Sequence, residues 1–133
     1  MIGDYKYFQH HHQPKPCQFC GRMAGYAPLD EMESHGVGVF FCEPCQAEFL
    51  YYQGGDLASS SLYTTVNHRM YRWTVTSGGH GQIWYVKEPG IPGKKKNEGL
   101  EAVKSFDPSK GDIVPQLTPS NINEKLRTWL VFL

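Results

Sequence analysis

Cys42-Glu43-Pro44-Cys45-Gln46-Ala47-Glu48-Phe49-Leu50-Tyr51-Tyr52 decides how the first half of this chain folds. A Cys-x-x-Cys pair runs directly into a stretch without glycine or proline. Gln46, Ala47, Glu48 and Leu50 favour helix, and Gly54-Gly55 would stop one. The expectation is a helix after Cys45, with Cys42 and Cys45 at its N-terminus, where unpaired amides stabilise thiolates. The alternative is a strand, which Phe49, Tyr51 and Tyr52 tolerate.

Upstream, Cys17-Gln18-Phe19-Cys20 repeats the spacing, and the chain has four cysteines in all. Each Cys-x-x-Cys brings two sulfurs to one side of a tight knuckle. Two knuckles supply the four soft ligands of a tetrahedral Zn²⁺. Four cysteines leave no open position for water or substrate. The expected cofactor is therefore one structural zinc, held by Cys17, Cys20, Cys42 and Cys45. The competing reading is two disulfides in a secreted domain. Gly21 allows the sharp turn after Cys20. Residues 24–29 and 36–41 are expected to pair as a hairpin, because Val37, Val39 and Phe41 alternate with Gly38 and Phe40.

The order of knuckle, hairpin, and knuckle at a helix start resembles the treble-clef zinc finger. The Cys17-x-x-Cys20-Gly21-Arg22 start and the Phe40-Phe41-Cys42-Glu43-Pro44-Cys45-Gln46 entry are similar to the zinc-binding N-terminal domains of bacterial unfoldase ATPases. The likeness covers about residues 15–53. It implies zinc and a treble clef, with functions that range from protein docking to nucleic-acid binding. A zinc ribbon is the alternative geometry, with a strand after Cys45. His-Asn-His nucleases also use a treble clef, but His35 is the one histidine between the knuckles.

With 133 residues, 40% hydrophobic and 14% aromatic, the chain has the composition of a folded protein. Its longest apolar runs, 38–42 and 129–133, are far too short to span a bilayer. The first residues lack the basic start and apolar stretch of a signal peptide. These features lead to an expected cytoplasmic location with reduced thiols. Net charge is zero, but residues 1–55 carry three Lys/Arg against six acids, and the remaining residues reverse that bias. Such a mild dipole lacks the basic footprint of a dedicated nucleic-acid binder. His10-His11-His12 reads as a solvated stretch, since the cysteines already complete a metal site.

Gly54-Gly55-Asp56 and Ser59-Ser60-Ser61 read as a linker. The expected domains are a zinc module over 1–55 and a second lobe over 56–133. Residues 69–77 and 82–88 are expected to form a hairpin around Gly78-Gly79-His80-Gly81. In that register Val75 faces Trp84 and Trp73 faces Val86. The opposite face pairs Arg72 with Lys87. Residues 100–106 are expected to be a short helix, with Leu100, Val103 and Phe106 at helical spacing. Thr118-Pro119 marks a second helix start. From there Ile122, Leu126, Trp129, Leu130 and Leu133 form an apolar stripe that covers the hairpin. The fold class expected is thus α+β: a Cys₄ zinc finger, then an antiparallel hairpin lobe under a C-terminal helix.

The sequence shows no nucleophile–base pair, paired carboxylates or open metal site. The function expected is a non-catalytic, zinc-stabilised adaptor or regulator of a protein or protein–nucleic-acid machine, with a protein as its partner. One alternative is direct nucleic-acid binding through Arg69, Arg72, Lys87, Lys94, Lys95 and Lys96. Another is a structural subunit of a larger assembly, such as a virus particle. No membrane partner is expected, and the sequence leaves the oligomeric state open.

Overall fold

A computed structural model describes residues 15–26, 37–52, 55–87 and 99–130. His10–12, His35, Lys94, Lys95, Lys96 and Leu133 lie outside the described residues.

Among the described residues the chain forms β1 (Lys15–Pro16), β2 (Met23–Tyr26), β3 (Val37–Cys42), β4 (Ala47–Tyr52), β5 (Leu57–Val66), β6 (Arg69–Thr76), β7 (Gly81–Val86) and β8 (Leu100–Phe106). A short 3₁₀ turn, Pro108–Lys110, and one helix, α1 (Ile122–Trp129), follow. The strands build one antiparallel sheet in the order β1 to β8, each paired with its sequence neighbours. The expected fold class, a separate finger followed by a hairpin lobe, is thereby corrected to a continuous meander with one short helix.

The correction begins at the opening stretch. Residues 47–52 are strand, not helix. Gln46 takes a left-handed φ of 53°, which a helix cannot start from. Both edges of β4 are then used, with Phe40 opposite Phe49 on one side and Ser60 opposite Phe49 on the other. Two backbone ladders and the burial of Ala47, Phe49, Leu50 and Tyr51 outweigh the modest helix preference of Ala47, Glu48 and Leu50. Ser59, Ser60 and Ser61, read as linker, are part of β5 and pair with Leu50, Phe49 and Glu48. The expected boundary at residue 55 falls between two neighbouring strands of the same sheet.

Residues 100–106 are also strand rather than helix. Ile83 pairs with Lys104 but Trp84 pairs with Ala102, so Val103 is an extra, bulged residue. The hairpin of β6 and β7 forms, with Trp73 opposite Ile83, Thr74 opposite Gln82 and Val75 opposite Gly81. Its loop is Ser77-Gly78-Gly79, closed by the Gly79 N–H donating to the Thr76 carbonyl at 2.9 Å, with Gly79 at φ 85°. This register differs by three residues from the expected one. An odd shift turns every β7 side chain to the other face. Ile83 and Tyr85 thus join Trp73 and Tyr71, while Trp84 joins Arg72.

The core lies on one face of the sheet. Phe40, Phe49, Leu62, Val66, Tyr71, Trp73, Ile83 and Phe106 meet Leu117, Ile122, Leu126 and Leu130 there. The expected start at Thr118-Pro119 falls about one turn early: α1 begins at Ile122 with Asn121 as its N-cap, and the turn before it is held by the Asn121 N–H donating to Thr118 Oγ1 at 3.3 Å and the Thr118 N–H donating to Asn121 Oδ1 at 2.7 Å. Asn123 ties α1 to the sheet by donating to Thr64 Oγ1 (2.9 Å) and the Thr65 carbonyl (2.6 Å). No helix among the described residues is long and apolar enough to cross a membrane.

Candidate metal centre

Both Cys-x-x-Cys pairs sit at turns between antiparallel strands, 17–20 between β1 and β2 and 42–45 between β3 and β4. In the first, the Cys17 N–H donates to the Arg22 carbonyl (2.7 Å) and the Gly21 N–H to the Cys17 carbonyl (3.0 Å). The Phe19 N–H points at Cys17 Sγ, 3.4 Å away. In the second, the Gln46 N–H and Nε2 both donate to the Glu43 carbonyl, at 3.1 and 2.8 Å. The residue after each second cysteine is left-handed, Gly21 at φ 79° and Gln46 at φ 53°. Glycine announces the first of these positions in the sequence; nothing announces the second.

The first knuckle docks on β4. The Phe19 ring stands 6.0 Å from that of Phe49, and Gln18 Nε2 donates to the Tyr51 hydroxyl at 3.3 Å. Lys15 Nζ lies 5.3 Å from the centre of the same Tyr51 ring. These contacts require Phe49 and Tyr51 to share a face, which the strand provides.

The four sulfurs of Cys17, Cys20, Cys42 and Cys45 lie within 4.8 Å of one another, and none is in a disulfide. Cys20 Sγ and Cys42 Sγ, from different knuckles, are 3.7 Å apart. Tetrahedral bonds of about 2.3 Å to one metal place sulfurs about 3.8 Å apart, so the donor set fits a single ion. Cys17 and Cys42 are buried, Cys45 is half-buried and Cys20 is exposed. A hydrogen bond from the Arg22 backbone is the main reason that Cys20 is lowered to about 7, helped by the neighbouring thiols. Burial raises Cys42 and pushes Cys45 up to about 12. Four thiolates cannot share so small and sheltered a space unless a cation offsets their charge. The cluster can hold a metal ion such as zinc, with all four positions filled by sulfur.

The basic residues considered for nucleic acid are placed differently. Arg72 Nη2 donates to Glu48 Oε1 (2.9 Å) and its Nε to Ser61 Oγ (3.1 Å), while its guanidinium covers the Tyr63 ring at 5.5 Å. Ser61 Oγ also shares a hydrogen bond with Thr74 Oγ1 at 3.3 Å. Arg72 is thus engaged within the sheet face opposite α1. Lys87 lies 3.6 Å from Glu101, both exposed. Arg69 is exposed beside the Asn67-His68 turn. Strand directions put Arg69, Lys87 and both cysteine turns at the same end of the sheet. No family model, curated protein or solved structure matches this chain.

Proposed function

We propose that this protein is a non-catalytic binding module, an adaptor or regulator whose β-meander is stapled at one end by a single structural zinc. The observation that carries this is the closed set of four cysteine sulfurs within 4.8 Å, contributed by two separate hairpin turns. Such a set offers no exchangeable position for a substrate. Its effect is mechanical, joining β1–β2 to β3–β4 where only a short ladder otherwise connects them. The partner class proposed is a protein, met in a reducing compartment such as the cytoplasm, where thiolates persist.

The metal claim is tested by elemental analysis of protein purified without added metal, and by cobalt substitution. One zinc per chain, and the visible absorption of tetrahedral thiolate-bound Co²⁺, are expected. Zinc well below one per chain, with the protein still folded, refutes it.

Direct nucleic-acid binding is the second reading, supported by Arg69 and Lys87 standing at one end of the sheet. Fluorescence anisotropy with short DNA and RNA over a salt series separates the two. Affinity that falls steeply with salt and drops in Arg69→Gln favours nucleic acid. No binding at low salt favours a protein partner.

A further inference from the structure

At the β5–β6 turn, Val66, Asn67, Arg69, Tyr71 and Leu130 line a cavity of about 160 Å³. Cavities of about 150 Å³ accept molecules the size of benzene. Two of the lining groups are chemically unspent. Tyr71 is only 5% exposed and lines this cavity, yet its hydroxyl makes no hydrogen bond among the described residues. A buried hydroxyl without a partner is costly, and native structures seldom leave one so. Arg69 has no ion pair among the described residues, unlike Arg72 and Lys87. Asn67 adds an amide at the rim, and Val66 and Leu130 supply apolar wall.

We propose that this cavity binds a carboxylate carried on a short aliphatic chain. The planar fork of Arg69 matches a carboxylate, and the Tyr71 hydroxyl can donate to the same group. One guanidinium balances one negative charge, and the apolar wall takes the hydrocarbon. That combination favours an organic carboxylate over inorganic phosphate or sulfate. The carboxylate can come from a free small acid or from the C-terminus of a peptide, and both present the same chemistry. The site lies on β5, β6 and the end of α1, and no cysteine is among its lining residues.

The test is an amide-resolved NMR titration of the full chain with sodium butyrate, against sodium chloride and butylammonium chloride at equal ionic strength. Saturable shifts confined to the amides around residues 66–71 and 130 are expected with butyrate alone. Arg69→Gln should weaken binding about tenfold or more, and Tyr71→Phe severalfold, because each removes a hydrogen bond to a charged group. Equal responses to the two control salts, shifts elsewhere, or full affinity in Arg69→Gln would overturn the proposal. A tripeptide Ala-Ala-Leu, with free and amidated C-terminus, separates the two sources. Tighter binding of the free-acid peptide than of butyrate assigns the site to chain termini, and the reverse assigns it to small acids. Zinc measured on the same samples keeps this outcome distinct from that of the metal centre.

Discussion

The indole of Trp73 occupies the space where a side chain on Gly81 would stand. A Cβ built on Gly81 lies 2.8 Å from Trp73 Cζ2, closer than real contacts allow, and 3.1 Å from Val114 Cγ1. Gly81 faces Val75 in the ladder, so the buried Trp73 ring crosses diagonally onto its neighbour strand. Gly81→Ala should cost about 1–3 kcal/mol through overpacking. Gly78→Ala is the control, since a Cβ there meets only Thr76 Oγ1 at 3.9 Å. It should change stability by no more than about 0.5 kcal/mol. Urea unfolding of both variants checks the contrast, and equal midpoints would contradict the packing.

The turn between β5 and β6 is Asn67-His68, with φ of 52° and 63°. Both values lie in the left-handed region that a two-residue hairpin needs, and asparagine tolerates it better than histidine. His68→Gly should therefore raise stability, by about 0.5–1 kcal/mol, despite the entropy that glycine adds to the unfolded chain. A rise in Tm of a few degrees is the expected reading; a fall would show that the His68 side chain contributes something the turn geometry does not reveal.

Glu48 and Arg72 form an ion pair with side-chain exposures of 21% and 17%. Removing one partner leaves the other poorly solvated on a half-covered face. Glu48→Gln should destabilise by about 1–3 kcal/mol. A double-mutant cycle with Arg72→Met should recover part of the loss, and strict additivity would mean that the pair contributes no coupling.

Burial, with the nearby Glu48 charge as a second cause, pushes the Tyr63 phenol up to about 12 from its usual 10. The folded state therefore holds the Tyr63 proton more tightly than the unfolded state does. The resulting stability is fully present below pH 10 and is lost as pH rises toward 12. Tyr63→Phe should flatten that alkaline decline. The check is melting temperature from pH 9 to 12 in both proteins, and parallel curves would refute it.

Metal removal tests whether the sheet behaves as one body. Structural zinc in small fingers contributes on the order of 10 kcal/mol of binding free energy. Chelation or Cys42→Ser should unfold β1 to β4. Because β4 pairs with β5 along its length, the loss should reach Trp73 and Trp84. Tryptophan fluorescence and zinc release should then report coincident transitions. A tryptophan transition unmoved by chelation would mean two independent units.

The cysteine cluster is legible in the sequence because ligand spacing is local chemistry, and Cys17, Cys20, Cys42 and Cys45 are read without knowing what joins them. Most of the sheet was less so. Residues 47–52 carry helix-forming side chains, and only pairing on both edges reveals a strand. Leu100, Val103 and Phe106 stand three apart in the sequence and imitate a helical stripe, but in β8 Leu100 pairs with Val86, Phe106 pairs with Gly81 and Val103 is the bulge between them. Ser59–Ser61 looked like a linker, although Ser61 is buried and bonded to Arg72. The Asn67-His68 turn contains no glycine to mark it. In the sequence Arg72 reads as a free cation, because its partner, Glu48, stands two strands away.

A meander whose strands pair in sequence order also has a history written into it. Each ladder from β3 to β7 closes a connection of four residues or fewer, so this part of the sheet can grow by successive zippering, with little entropy lost at each addition. The long-distance closure comes from Asn123, which reaches back 59 residues to Thr64. Docking of α1 is then the step that waits for nearly the whole chain, and until it occurs the apolar face of β5 to β7 lies open to other molecules.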